Sequence, residues 1–153
     1  MNQIPQLIRC GWMGVEGMRE GRPVLMRIRS IPSSFVGIAD LPFAFVLVWK
    51  YVPVGPTGLP SEEDYDQTEV IERDVIDVLE SGAEGILAFT RTWNGSVKYV
   101  CYVKDPDEMA KLVNDRVPES LQLELTAGED RKWSEYSELL RDLPGNSKGS
   151  QVE

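Results

Sequence analysis

The segment Leu59–Glu80, LPSEEDYDQTEVIERDVIDVLE, constrains this chain more than any other stretch. Its apolar residues recur at helical spacing, so it reads as a helix with one face buried against another layer. Ser61 stands where an N-cap hydroxyl accepts from first-turn amides, and Asp64 gives a weak capping box three residues on. Glu62, Glu63 and Asp64 meet the positive end of the helix dipole. Tyr65, Ile71, Val75, Ile76, Val78 and Leu79 share one arc. Glu62, Glu63, Asp66, Glu69, Asp74, Asp77 and Glu80 crowd the other side, and Gly82 supplies a stop.

Charge is distributed unevenly. Residues 61–80 carry nine acids and one base, Arg73, whereas residues 1–60 carry three acids and six bases, in a chain of net charge −9. Such a face either keeps the protein soluble or docks a basic partner. Partner-binding candidates on the helix are Glu62, Asp66, Glu69, Asp74 and Asp77. Glu72 breaks the pattern by falling inside the apolar arc. It must snorkel, find a structural partner such as Arg91, or serve as a buried functional carboxylate.

Several chemistries are excluded. The chain has no histidine, which removes Ser-His-Asp and Cys-His catalysis, His-ligated zinc and the usual neutral-pH base. Two cysteines, Cys10 and Cys101, cannot make a four-thiolate zinc site. They read as buried free thiols of a reducing, cytoplasmic protein, with a single disulfide as the alternative. The acidic balance argues against binding nucleic-acid phosphates. The longest apolar run, Phe43–Trp49, is too short to span a membrane, and no signal peptide is expected. Neither a metal nor a cofactor is expected.

The remaining elements follow in order. Leu7–Gly14 and Pro23–Ser30 read as strands, the second alternating Val24, Met26 and Ile28 with Leu25, Arg27 and Arg29. That alternation sends the two arginines away from the core. Phe43–Val52 is apolar on both faces, as a central strand is. Gly85–Trp93 and Ser96–Lys104 flank Asn94-Gly95, a strong hairpin signal. Asp105 caps a second helix with Pro106 at its first position; Met109, Leu112 and Val113 form its stripe. Leu121–Thr126 alternates as a last strand, and Lys132–Leu140 is a short helix with Trp133, Tyr136 and Leu140 inward. The expectation is an α+β domain over residues 1–142. Its 43–126 core is a ferredoxin-like βαββαβ two-layer sandwich, extended by an N-terminal β-hairpin, and residues 143–153 form a disordered tail.

Parity along the two central strands puts Ala44, Val46, Val48, Val100 and Tyr102 on the sheet face away from the helices. An apolar face of this kind needs a cover. The chain's own N-terminal part, a second copy in a homodimer, and a partner are the candidates. Trp93, beside the hairpin turn, is the tryptophan expected to be exposed and to anchor an interface.

Four segments together resemble a known family: GRPVLMRIR, TGLPSEEDYDQTEVIERDVIDVL, TRTWNGSVKYVCYVKDPDE and RKWSEYSELL. In order and spacing they are similar to the bacterial domain-of-unknown-function family 695, over roughly residues 10–142. The shared positions are Gly58, Leu59, Pro60, Glu63, Glu72, Gly95, Tyr102, Asp105, Trp133 and Tyr136. Arg73, Tyr99, Cys101 and Lys132 depart from the family's usual residues. The resemblance implies a small cytoplasmic protein with no established activity. It also implies kinship in style with the protein regulator B of ribonuclease E, an acidic ferredoxin-like protein that inhibits by binding.

These readings converge on a non-enzymatic acidic binding or regulatory protein. It would be an inhibitor or immunity-type protein acting on a basic partner, such as a nuclease or toxin, through helix 61–80. Two alternatives stand beside it. One is a carboxylate enzyme, Mg²⁺-dependent, using Glu72 with Asp105 or Asp107. The other is RNA binding on an open sheet face along Lys98–Tyr102.

Overall fold

A computed structural model describes residues 4–53, 55–118 and 121–143. Helix α1 (Ile4–Ile8) leads into the hairpin β1 (Trp12–Arg19) and β2 (Arg22–Arg29). Strand β3 (Phe43–Lys50) precedes a long helix in three parts: α2 (Glu62–Ile71), a π-helical turn (Glu72–Ile76) and α3 (Asp77–Ser81). Then come β4 (Gly85–Trp93), β5 (Ser96–Val103), α4 (Pro106–Arg116), β6 (Glu124–Glu129) and α5 (Ser134–Asp142). The expected disordered tail lies outside the described residues, apart from Leu143, which is buried in the core.

Local chemistry sets the boundaries. Ser61 and Asp64 form a reciprocal capping box at the start of α2. The Asp105 carboxylate accepts from the amides of Asp107 and Glu108, with Pro106 opening α4. Asn94 and Gly95 take positive φ in the β4–β5 turn, at 44° and 96°. Gly85 starts β4 where an added Cβ would sit 2.7 Å from the Tyr102 carbonyl oxygen, so close backbone approach demands glycine there.

The six strands form one antiparallel sheet in the order β1-β2-β4-β5-β3-β6. The N-terminal hairpin extends the sheet through pairing of β2 with β4. One face is covered by α2, the π turn, α3 and α4, which bury Phe45, Leu47, Ile71, Val75, Leu87 and Val113. The other is covered by α1, α5 and the connection after β2, which bury Leu7, Ile28, Val100, Tyr102, Trp133 and Tyr136. Segments before β3 and after β6 of the chain itself therefore cover the face that parity marked as apolar.

Helix α5 is fixed to that face by specific contacts. The Trp133 ring stacks on Tyr102 at 4.4 Å, and its Nε1 donates to the Leu41 carbonyl at 2.9 Å. The Tyr136 hydroxyl donates to the Arg29 carbonyl at 2.6 Å and accepts from the Ile31 amide. Asp130 replaces a conventional cap, accepting from the Ser134 and Glu135 amides and from the Tyr102 hydroxyl.

Two expected strands are displaced. Leu7–Gly14 is the end of α1 followed by the approach to β1, which begins only at Trp12. The last strand begins at Glu124 rather than Leu121, because its ladder is set by pairing with β3, Leu125 opposite Leu47. Cys10 and Cys101 are both free thiols, so the disulfide alternative does not form.

Candidate functional site

The long acidic helix divides its carboxylates between two duties. Glu62, Glu63, Asp66, Glu69 and Asp77 are exposed. Asp74 is half-buried and is met by Arg73 Nε at 3.0 Å. Glu72 and Glu80 instead turn toward the sheet. Arg27 Nη2 lies 2.6 Å from Glu72 Oε1, and Arg29 Nη2 lies 2.7 Å from Glu80 Oε2. Both arginines stand on β2, on the face under the helix.

This corrects three sequence expectations. Arg29 is 2% exposed, so it does not face away from the core. It also donates to the carbonyls of Leu87, Leu7 and Ile8. Glu80 does not belong to the solvent-facing set. The π turn, with its wider hydrogen-bonded ring, advances less rotation per residue and so brings Glu80 round to the side of Glu72. Burial pushes the Glu80 carboxyl above the usual range; the Leu87 amide and Arg29 counteract this only in part.

The third correction concerns Arg91, which is not the partner of Glu72. The β4–β5 register shifts between Leu87 and Phe89. This bulge reverses the facing of everything after it. Thr90 and Thr92 therefore face the acidic helix, whereas Arg91 and Trp93 turn to the α5 side. Burial lowers the Arg91 pKa, and the nearby Arg19 lowers it further.

Trp93 is thus apart from the acidic surface. It is half-buried, its Nε1 donates to the Arg19 carbonyl at 3.1 Å, and the Arg19 guanidinium lies 4.7 Å from its ring centre. Arg22 donates to the Asn94 side chain at 2.6 Å beside it. These contacts tie the β1–β2 turn to the β4–β5 turn.

At the inner edge of α2 lies a cleft of about 260 Å³, lined among others by Arg27, Tyr65, Thr68, Glu72, Thr92 and Tyr99. Tyr99 is fully buried, and its hydroxyl has no hydrogen-bond partner among the described residues. Burial raises its pKa, and the neighbouring Glu72 charge adds to the rise. The hydroxyl therefore stays protonated, a donor without an acceptor. Only Glu72, out of place on its helix, hints at this cleft in the residue pattern.

Asp105 is engaged as a cap and Glu72 by Arg27, and Asp107 sits in the first turn of α4. Among the described residues no three acidic, cysteine or histidine side chains cluster to hold a metal. Tyr99 and Tyr102 on β5 are both 0% exposed, which leaves no aromatic there for a base to stack on. Among the described residues no helix is long and apolar enough to cross a membrane.

The sequence model of a family of unknown function, DUF695, matches residues 11–141. The chain belongs to that family. The match to DUF695 runs from the residue before β1 into α5, and so takes in both layers around the sheet. No curated protein and no solved structure matches this DUF695 chain.

Proposed function

We propose that this DUF695 chain is a non-enzymatic regulatory protein that binds a basic protein partner through the solvent face of α2–α3. An inhibitor or immunity-type role against a basic nuclease or toxin fits that chemistry. One observation carries the reading. The structure neutralises Glu72 and Glu80 with Arg27 and Arg29, yet leaves Glu62, Asp66, Glu69 and Asp77 exposed, with no basic residue from elsewhere among the described residues upon them. Uncompensated carboxylates on one face speed association with a basic surface, and salt screens the attraction within about 8–10 Å.

The order β4-β5-β3-β6 within the βαββαβ segment supports reading the core as a ferredoxin-like sandwich, with the hairpin as an extension. On that reading the protein shares its style of action with the protein regulator B of ribonuclease E, a cytoplasmic acidic inhibitor. The test is a variant carrying Glu62→Gln, Asp66→Asn, Glu69→Gln, Asp74→Asn and Asp77→Asn. It should keep its circular dichroism spectrum and lose partner binding. Unchanged affinity in the folded variant would rule the proposal out.

A further inference from the structure

The two edges of the sheet are guarded differently. At one edge, β6 carries charged pairs at both ends: Glu124 with Lys50 at 3.0 Å, and Glu129 with Arg131 at 2.6 Å. Charges of this kind discourage another strand from adding to an edge. At the other edge, among the described residues, β1 pairs only with β2, in an unbroken register from Trp12–Arg29 to Arg19–Arg22. Strand β1 has no proline, no lysine and no bulge. Among the described residues it carries three of the five exposed large apolar side chains: Trp12 at 40%, Met13 at 39% and Met18 at 70%. Gly14 and Gly17 leave open space beside it.

We propose that β1 pairs with β1 of a second copy of this chain, antiparallel about a two-fold axis, so that two six-stranded sheets become one. The two-fold axis of such a pair stands perpendicular to the sheet, so opposed residues must share a face and their numbers must share parity. Few registers satisfy this. Centring on Glu16 opposes two carboxylates, which is unfavourable. Centring on Gly14 or Gly17 shortens the ladder and leaves Met18 or Trp12 without a partner. Centring on Val15 opposes Val15 to itself, Met13 to Gly17, Trp12 to Met18 and Gly14 to Glu16.

The Val15 register fits the side chains present. On one face the Met18 thioether meets the outer side of the Trp12 ring, whose inner side is held by the Arg27 and Arg29 guanidinium groups at 5.1 and 4.4 Å. On the other face Met13 fills the space that Gly17 leaves. Charge does not oppose the approach. The acidic excess lies on α2–α3, whereas β1 and β2 together hold Arg19, Arg22, Arg27 and Arg29 against Glu16 alone. The axis also keeps the same face of both copies upward, so the two acidic helices project from one side of the joined sheet.

Sedimentation velocity of the full chain between 5 and about 200 µM tests the association. A species of twice the 17.2 kDa monomer mass, lost in a folded Met13→Glu/Met18→Glu variant, is expected. A monomer throughout that range, or a dimer unaffected by the two glutamates, would overturn the proposal. Register is tested in a Cys10→Ser background under mild oxidant. Cysteine introduced by Val15→Cys should crosslink to its own copy, because directly opposed Cα atoms lie about 4.5–5.5 Å apart, within disulfide range. Cysteine introduced by Gly17→Cys should not, because the two copies would lie about 13 Å apart along the strands. Crosslinking at residue 17 and not at residue 15 would overturn the register.

Discussion

Arg29 and Glu80 form an ion pair at 2.7 Å that joins β2 to α3, with only 2% of the Arg29 side chain and 12% of the Glu80 side chain exposed. The guanidinium's other hydrogen bonds go to three backbone carbonyls, two of them at the end of α1, and its outer side meets the Trp12 ring. One buried cation thus connects the sheet, the acidic helix and the N-terminal helix. Removing one partner of a buried pair leaves the other charge uncompensated, at a cost of about 3–5 kcal/mol. Arg29→Ala should lower the urea midpoint accordingly, whereas Arg131→Ala, at the exposed pair with Glu129, should change stability by less than about 1 kcal/mol.

Tyr99 makes the opposite prediction. Its hydroxyl is buried without a partner among the described residues. Replacing an unsatisfied group by an apolar one of the same shape is neutral or stabilising. Tyr99→Phe should leave the urea midpoint unchanged or raise it, by up to about 1–2 kcal/mol of stability. A clear loss of stability would mean that the hydroxyl has a partner in solution.

The two perturbed carboxyls should carry opposite pH signatures. Burial alone would raise Asp130, but the Ser134 and Glu135 amides and the Tyr102 hydroxyl outweigh it and hold the carboxyl low. Its contribution is present above the ordinary value of 3.8 and is lost as pH falls through the lower folded value. Glu80, raised by burial, contributes most below 4.5, and that contribution is lost as pH rises through its higher folded value. Urea titrations over this range should show Asp130→Asn with a smaller loss of stability on acidification than wild type. An unchanged acid limb would contradict the role of Asp130 at the start of α5.

Thiol reactivity separates the two cysteines. Cys101 is fully buried in β5 and burial pushes its pKa up, whereas Cys10 is half-buried between α1 and β1. An aromatic disulfide reagent should titrate Cys10 in the native protein and reach Cys101 only after unfolding. Rapid native reaction at Cys101 would show that β5 is far more accessible than this packing allows.

Much of the architecture was legible because local chemistry and periodicity agreed. The Ser61 cap, the Asn94-Gly95 turn and the Asp105-Pro106 start each satisfy a backbone requirement that few residues can meet. What was not legible depended on the other side of the sheet. The alternation of Leu25, Arg27 and Arg29 shows that they share a face, but not that helices cover both faces. The pattern therefore points both arginines at water, whereas Arg29 is buried beneath an acidic helix of opposite charge and Arg27 meets that helix while staying 43% exposed. The β4 bulge and the π turn each change facing by an amount that no residue pattern announces. Together they misplaced Arg91 and Glu80. Glu72, out of place on its own helix, was the one visible sign that carboxylates turn inward.

The measurement closest to the central claim is a tagged capture from host lysate at low and moderate salt. Wild type is compared with the five-residue neutral variant, and the captured proteins are read by mass spectrometry. The account predicts one stoichiometric basic protein, held by wild type at low salt, released as salt rises, and absent from the variant. A partner held equally by both proteins at every salt concentration would contradict it.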